Sequence, residues 1–395
     1  MTTHFSRRDF LAGAGALAGA GVLGAHSTLA HALSLPSSPV SLNVVDAAGN
    51  LALTRPIFDN FAEQHKNLVS KFTFSNAPAP QLPVKIKAQQ RAKRVDIDMV
   101  IIGPDAMSEG LQSDLWLDIL ALPDNGLPNL ESIYQTPAWR MQQLTQGKGV
   151  TVSYYPSGPL LEYRPDQVSD VPQTPEELLA WAKAHPGKFI YARPANSGPG
   201  RTFLMGLPYL LGDKDPRDPV NGWEKTWAYL KELNQYVEYY PGGTSDVMRE
   251  LGSGARAMTV TTTGWDINPR ALGVVPAEVK VGKFKNFTWV CDAHYLAIPK
   301  GVSDDKVAVL LQFIQFALQP KQQAYTYDTG YFYPGPAVKD VTLEMAPQKS
   351  QEVIQKFGRP EYASWIADNP IELPLDPKPL VAAFRRWDQE IAASK

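Results

Sequence analysis

The chain runs to 395 residues, enough for two domains with cores of their own. Apolar residues make up 44% and charged residues 20%, and 38 basic against 40 acidic side chains leave a formal net charge of −2. That balance excludes a basic nucleic-acid surface, and the single cysteine, Cys291, excludes an internal disulfide and any cysteine-built zinc or iron–sulfur site.

The first element is an export signal. Ser6-Arg7-Arg8-Asp9-Phe10-Leu11 is a twin-arginine motif, followed by an Ala/Gly-rich run over 12–25 and an Ala30-His31-Ala32 cleavage pattern. The run is too short and too glycine-rich for a stable membrane span. A signal peptide over 1–32 is expected, cleaved after Ala32 by way of the twin-arginine export machinery. With no cysteine at the cleavage point to carry a lipid, the product is expected to be soluble in the periplasm.

The mature chain opens with a short apolar strand at 42–45, the turn Asp46 to Asn50 and a helix over 56–65. In an open α/β sheet the loop after a strand faces the ligand and gathers helix N-terminal amides, so Gly49 and Asn50 are candidate liners. A second strand covers 72–75, and a helix through 89–93 carries a solvated basic face. A third strand, 98–102, is apolar after Asp98, as a parallel strand covered on both sides would be, and it ends in Gly103-Pro104-Asp105. This alternation predicts a doubly wound lobe, with Gly103 and Asp105 at its ligand edge. Residues 115–122 read as surface strand or turn, and 123–139, with Pro123, Pro128 and Pro137, as loop. The β-branched run 149–155 is the expected first crossing between lobes.

The second lobe begins with Thr174-Pro175-Glu176-Glu177, a capping box with a first-turn proline. Its helix leads to a strand at 189–192 and then to the loop 193–203. Small residues there let a backbone approach a ligand, and the amides of 200–202 start the next helix, which favours an oxygen anion. Asn196, Ser197 and Arg201 are candidates, against the plainer reading of a strand-to-helix turn. Trp223, Trp227, Leu230 and Leu233 recur at helical spacing and read as core. A helix capped by Thr244 or Ser245 precedes the threonine-rich run 257–262, expected to be the strand that returns the chain to the first lobe. At its end stand Gly264, Trp265 and Asp266.

A strand at 288–298 carries Asp292 and His294 two residues apart, hence on one face. After it come a helix entered at Ser303, a stop at Pro320, and an aromatic turn holding Tyr325, Tyr327, Tyr331, Phe332 and Tyr333. A proline-rich tie over 368–377 and an amphipathic helix over 379–393 close the chain.

The order strand, Leu-Ala-Ile-Pro, "FIQFALQPKQQA" and "TGYFYPGPA" resembles the C-terminal part of periplasmic solute-binding proteins of ABC importers, in the polyamine, thiamine and ferric-iron group. The stretch "LLAWAKAHPGKFIYARPANSGPGRTF" is similar to a less characterised branch of it. The resemblance implies an α/β type II periplasmic binding fold: two lobes, each a mixed, mostly parallel sheet flanked by helices, with the ligand cleft between them. Lobe 1 is expected over 41–152 and 259–300, lobe 2 over 153–258 and 301–395. It implies a monomer that binds a small organic solute, cationic or planar and polyamine- or thiamine-like, and delivers it to a permease and its ATPase, with no catalysis, cofactor or metal. Trp265 matches a tryptophan that the group often stacks on its ligand, while Asp266 is either a ligand carboxylate or a cap. Where the polyamine branch has a Trp and then an Asp two residues later, this chain has Asp292 and His294, with Trp289 shifted by three. Tyr331 and Tyr333 complete the expected set. The adjacent Tyr154 and Tyr155 resemble the iron-binding pair of ferric relatives but lie earlier in the chain, and consecutive strand residues face opposite sides. The rival expectation is an exported hydrolase using Asp266, Asp292 and His294 as acid and base groups.

Overall fold

A computed structural model describes residues 33–395, so the twin-arginine motif and the Ala32 cleavage point lie outside the described residues. Among the described residues eleven strands form two sheets. Strands β1 (Val40–Asp46), β2 (Val69–Asn76) and β3 (Met99–Ile102) run parallel, and β3 then pairs antiparallel with the late strand β9 (Trp289–Ala297). Next to β9 lies β4 (Val150–Gly158), giving the order β2-β1-β3-β9-β4, extended by the two-residue β10 (Gly335–Pro336). The second sheet has the order β6-β7-β5-β8, from β5 (Leu160–Tyr163), β6 (Phe189–Ile190), β7 (Met258–Thr261) and β8 (Lys280–Gly282). Among the described residues no helix is long and apolar enough to cross a membrane.

The composition of β4 and β9 explains their place: all nine residues of each are buried, as β-branched and aromatic runs covered on both faces should be. β4 passes straight into β5 through Pro159, so the first crossing falls at 158–160, a few residues beyond the paired tyrosines. The run 257–262 does not return the chain. Its core, β7, pairs with β5 and β6 inside the second sheet, and the return comes later, between β8 and β9. β11 (Ile371–Glu372) then pairs beside the start of β9 before the last helix, Pro377–Glu390, packs on the second core.

The helix Asp304–Ala317 also departs from expectation. Val307, Leu310, Leu311, Phe313 and Ile314 join the larger core with β1, β3 and β9, which puts this helix with the first lobe and not with the second. A half-buried ion pair fixes it there: Lys306 Nζ donates to both oxygens of Asp98, at 2.9 and 3.1 Å. Residues 123–139, read as loop, contain the helix Leu130–Ile133 and the start of the helix Thr136–Gln143. The Asn129 side chain accepts from Ser132 N in the first, and Pro137 opens the second, where a missing N–H costs nothing.

Candidate functional site

The carboxyl ends of β1 and β3 open on a crevice, as expected where strand order reverses in an open α/β sheet. Five turns from both lobes meet there around a cavity of about 230 Å³: 47–49 and 103–105 from the first lobe, 196–201 and 243–245 from the second, and Trp265 after β7. Asp292 and His294 on β9, Tyr155 on β4, and Tyr331 with Phe332 complete the wall. Several turns are helix starts. Helices begin at Leu51, Pro104, Gly198, Thr244 and Thr263, so their partly positive ends gather at one place.

Arg201 stands at the centre. It lies in the first turn of the helix Gly198–Leu211, which Ser197 caps by accepting from Gly200 N at 3.1 Å. Its guanidinium donates to Asp105 Oδ2 at 2.7 Å and to Asp292 Oδ2 at 2.5 Å, joining a second-lobe helix to a first-lobe helix and to β9. Burial works against the Arg201 charge, but Asp292 and Asp105 hold its pKa above the ordinary range. Burial likewise raises the Asp292 carboxyl, with Arg201 pulling it back.

His294 is neutral here: burial, and then the Arg201 charge, push it down to about 3. Its Nδ1 lies 2.8 Å from Asn50 Nδ2, which also donates to Ser153 Oγ at 2.9 Å. Turning the Asn50 amide over would bury unpartnered N–H groups in place of the one unpartnered oxygen, Oδ1, and orphaned N–H groups are the rarer case. Asn50 therefore donates, and His294 carries its proton on Nε2. The imidazole stacks on Phe332 with ring centres 4.1 Å apart, and Phe332 in turn meets Tyr155. Trp265 and Tyr331 pack edge to face at 5.2 Å. Gly49 sits at φ +73°, and a Cβ there would come within 2.5 Å of the Tyr331 hydroxyl, so only glycine lets this loop pass the ring.

Of the residues singled out from sequence, Gly49, Gly103, Asp105, Asn196, Ser197, Arg201, Trp265, Asp292, His294 and Tyr331 line the cavity. Three do not. Asn50 lies behind the wall, fully buried, and orients His294. Asp266 points away into a buried cluster, accepting from Arg270, Arg359 and Tyr362. Tyr333 packs near Tyr362, while its carbonyl accepts from Thr263 Oγ1. Tyr155, Phe332 and the turn 243–245 were missed. That turn has the same small-residue helix-start signature as 196–201, and Thr244 bonds Ser197 across the cleft floor at 2.8 Å instead of capping its own helix, whose N-cap is Gly243. Tyr154 and Tyr155 do face opposite ways, Tyr154 into the larger core and Tyr155 into the cavity. The acid–base trio of the hydrolase expectation is not assembled, since Asp266 is spent on arginines outside the cavity.

Two α/β lobes joined by crossing strands, with a polar and aromatic cavity between them, make up the type II periplasmic binding fold. Solved structures share the fold. A periplasmic thiamin binding protein aligns at TM-score 0.63 and 15% identity, over 91% of this chain and 99% of its own. A putative spermidine/putrescine ABC transporter protein from Listeria monocytogenes gives 0.62 and 14%, over 90% and 99%. A ferric binding protein from Campylobacter jejuni gives 0.62 and 16%, over 89% and 98%. The model of the bacterial extracellular solute-binding protein family matches residues 57–355, and the chain belongs to that family. Protein YnjB of Escherichia coli K12 is 27% identical over 199 residues, 47% of this chain and 48% of YnjB, so the match spans about half of that relative.

Proposed function

We propose that the chain is the substrate-binding component of an ABC importer, which captures a small organic solute with a cationic or planar portion and hands it to a membrane permease powered by an ATPase. The observation that carries this is the Arg201 bridge. A buried charge on a second-lobe helix reaches Asp105 and Asp292 on the first lobe inside a cavity walled by Trp265, Tyr331, Phe332 and Tyr155. A solute that contacts both walls binds the closed arrangement better than the open one and shifts the population toward it, with no catalytic group needed. The fold's neighbours carry thiamin, polyamine and ferric names, so solute identity rests on the side chains and not on the fold. The Ser6 to Leu11 motif supports export by the twin-arginine route, with cleavage after Ala32 and action in the periplasm.

The test is a thermal-shift panel of thiamine and its phosphates, polyamines, amino acids, sugars and ferric ion. A solute present at 100 times its Kd adds about 2.7 kcal/mol of stability. The expected hit is an organic solute whose shift disappears in Arg201→Ala. A panel in which only ferric ion or simple sugars shift the melting point overturns the solute class, and no shift from any compound overturns the binding role.

A further inference from the structure

The cleft is electrically lopsided. Its acids stand on the first-lobe side, Asp105 after β3 and Asp292 on β9, both flanking the guanidinium. The other wall belongs to the second lobe and is a donor wall: Arg201 itself, the Ser197 and Thr244 hydroxyls, and the helix starts at Gly198 and Thr244, with that at Thr263 following β7. The first lobe's own two helix starts are already matched. Asp46 accepts from Ala48 N and Leu51 N, and Asp105 accepts from Ala106 N. Of the remaining helix starts, those at Thr244 and Thr263 carry Asp246 and Asp266 in their first turns, and that at Gly198, which holds Arg201, carries no acid.

Two residues, Arg201 on the second-lobe wall and His294 on the first-lobe strand β9, keep donors for a solute in the cavity. Arg201 is 3% exposed, and of the five N–H groups a guanidinium carries, two are engaged among the described residues. His294 is 5% exposed and lines the cavity, with Nδ1 held by Asn50 and no hydrogen bond to Nε2 among the described residues. Both residues line the cavity, where a solute can accept from them. A bare cation satisfies none of them, and a bare anion faces Asp105 and Asp292 without a counter-charge.

We propose that the solute is a dipolar ion, with a carboxylate or like oxyanion on the second-lobe wall at Arg201 and a cationic nitrogen on the first-lobe wall at Asp105 and Asp292, its planar or aliphatic body between Trp265 and Phe332. This rests on the solute-binding reading above and sharpens it. A molecule with opposite charges at its two ends contacts both lobes at once, which is what favours the closed arrangement. Either charge alone contacts one lobe well.

The experiment is calorimetry and thermal shift on the full mature protein with sets of matched skeletons: amino acids, ω-amino acids and betaines against the acid lacking the nitrogen and the amine lacking the carboxylate. The expected result is that the tightest ligand of the panel is dipolar and that each singly charged analogue binds at least 100-fold more weakly. Asp105→Asn is expected to weaken the dipolar ligand at least tenfold while leaving its nitrogen-free analogue within twofold. Thr244→Val, on the opposite wall, should weaken the nitrogen-free acid and leave the amine unchanged. Tight binding of a diamine, of thiamine or of a simple carboxylate, with dipolar ions inert, overturns this proposal and leaves the binding role standing. Silence from every compound removes the binding role and the proposal with it.

Discussion

Two arginine–carboxylate clusters in this molecule are built from the same chemistry and end differently. Around Asp266, fully buried, Arg270 donates at 3.1 and 2.9 Å, Arg359 at 3.0 and 2.7 Å, and the Tyr362 hydroxyl at 2.7 Å. Every lone-pair direction of that carboxylate is used, and the cluster lines no part of the cavity. Around Arg201 the stoichiometry is reversed, with one cation between two carboxylates, donors to spare and an open chamber beside it. A saturated cluster ties elements together, here the helix Thr263–Ala271 to the segment 357–362. An unsaturated cluster at a lobe boundary waits for a third party.

The largest effect that separates the two comes from removing one charge of each. Asp266→Ala leaves Arg270 and Arg359 facing each other without the acid, and breaking a buried ion cluster in this way costs about 3–5 kcal/mol. Urea denaturation should show that loss, while the fraction still folded binds solute with affinity within a factor of about three. Arg201→Ala should do the reverse on binding. Losing charge-assisted hydrogen bonds worth about 3 kcal/mol to the solute weakens affinity roughly 100-fold. If Asp266→Ala instead abolished binding in folded protein, the division of labour drawn here would be wrong.

The same contrast explains what was legible from residues alone. The turns at 47–49, 103–105 and 196–201 could be found because each carries its signal locally: a strand ends, small residues follow, and a helix begins. Asp98 stood out as the lone polar residue entering an apolar strand, although its partner Lys306 lies 208 residues away and belongs to the helix that was assigned to the other lobe. Asp266 and Asp292 both stand as candidate ligand acids in the sequence, Asp266 with a cap as its alternative. Their roles were decided by Arg359 and Arg201, which lie 93 and 91 residues away in sequence. The run 257–262 read correctly as a strand, but a strand's own residues do not name its neighbour, and β5 and β6 kept β7 in the second sheet. Tyr331 and Tyr333 are the rings expected at the ligand, yet the backbone turns Phe332 toward His294 and sends Tyr333 to the Tyr362 side.

The two clusters also respond oppositely to pH. Glu162, buried on β5 near Asp266, is pushed up to about 8 by burial first and by the Asp266 charge second, with Arg270 and Arg359 opposing. It is protonated in the folded chain and ionised in the unfolded one between about 4.5 and 8, so stability is full below that window and falls as pH rises through it, by at most about 1.4 kcal/mol per unit. His294 runs the other way: held down at about 3, against 6.5 when free, it contributes stability that is present above 6.5 and lost as pH falls toward 3. From 6.5 to 8 only the Glu162 slope remains of the two. Glu162→Gln should flatten the fall in unfolding free energy across that interval, measured by urea titration at several pH values, and leave solute affinity unchanged. A slope that survives the substitution would assign it to another group.

The smallest effect concerns the aromatic partners of each cluster. Trp265 meets Tyr331 edge to face at the cavity, whereas the Phe357 ring lies 6.0 Å from the Arg270 guanidinium at the saturated cluster. Trp265→Phe keeps an aromatic face but gives up the larger indole, which binds cations best. It should cost under about 1 kcal/mol of stability and weaken the solute about two- to tenfold. Phe357→Leu, by contrast, should touch stability alone. Fluorescence reads this directly: of the 9 tryptophans, Trp265 lines the cavity, so the solute-induced change in emission should vanish in Trp265→Phe and persist in Phe357→Leu. An undiminished response in Trp265→Phe would take the indole off the binding wall and leave Tyr331 and Phe332 as the aromatic contacts.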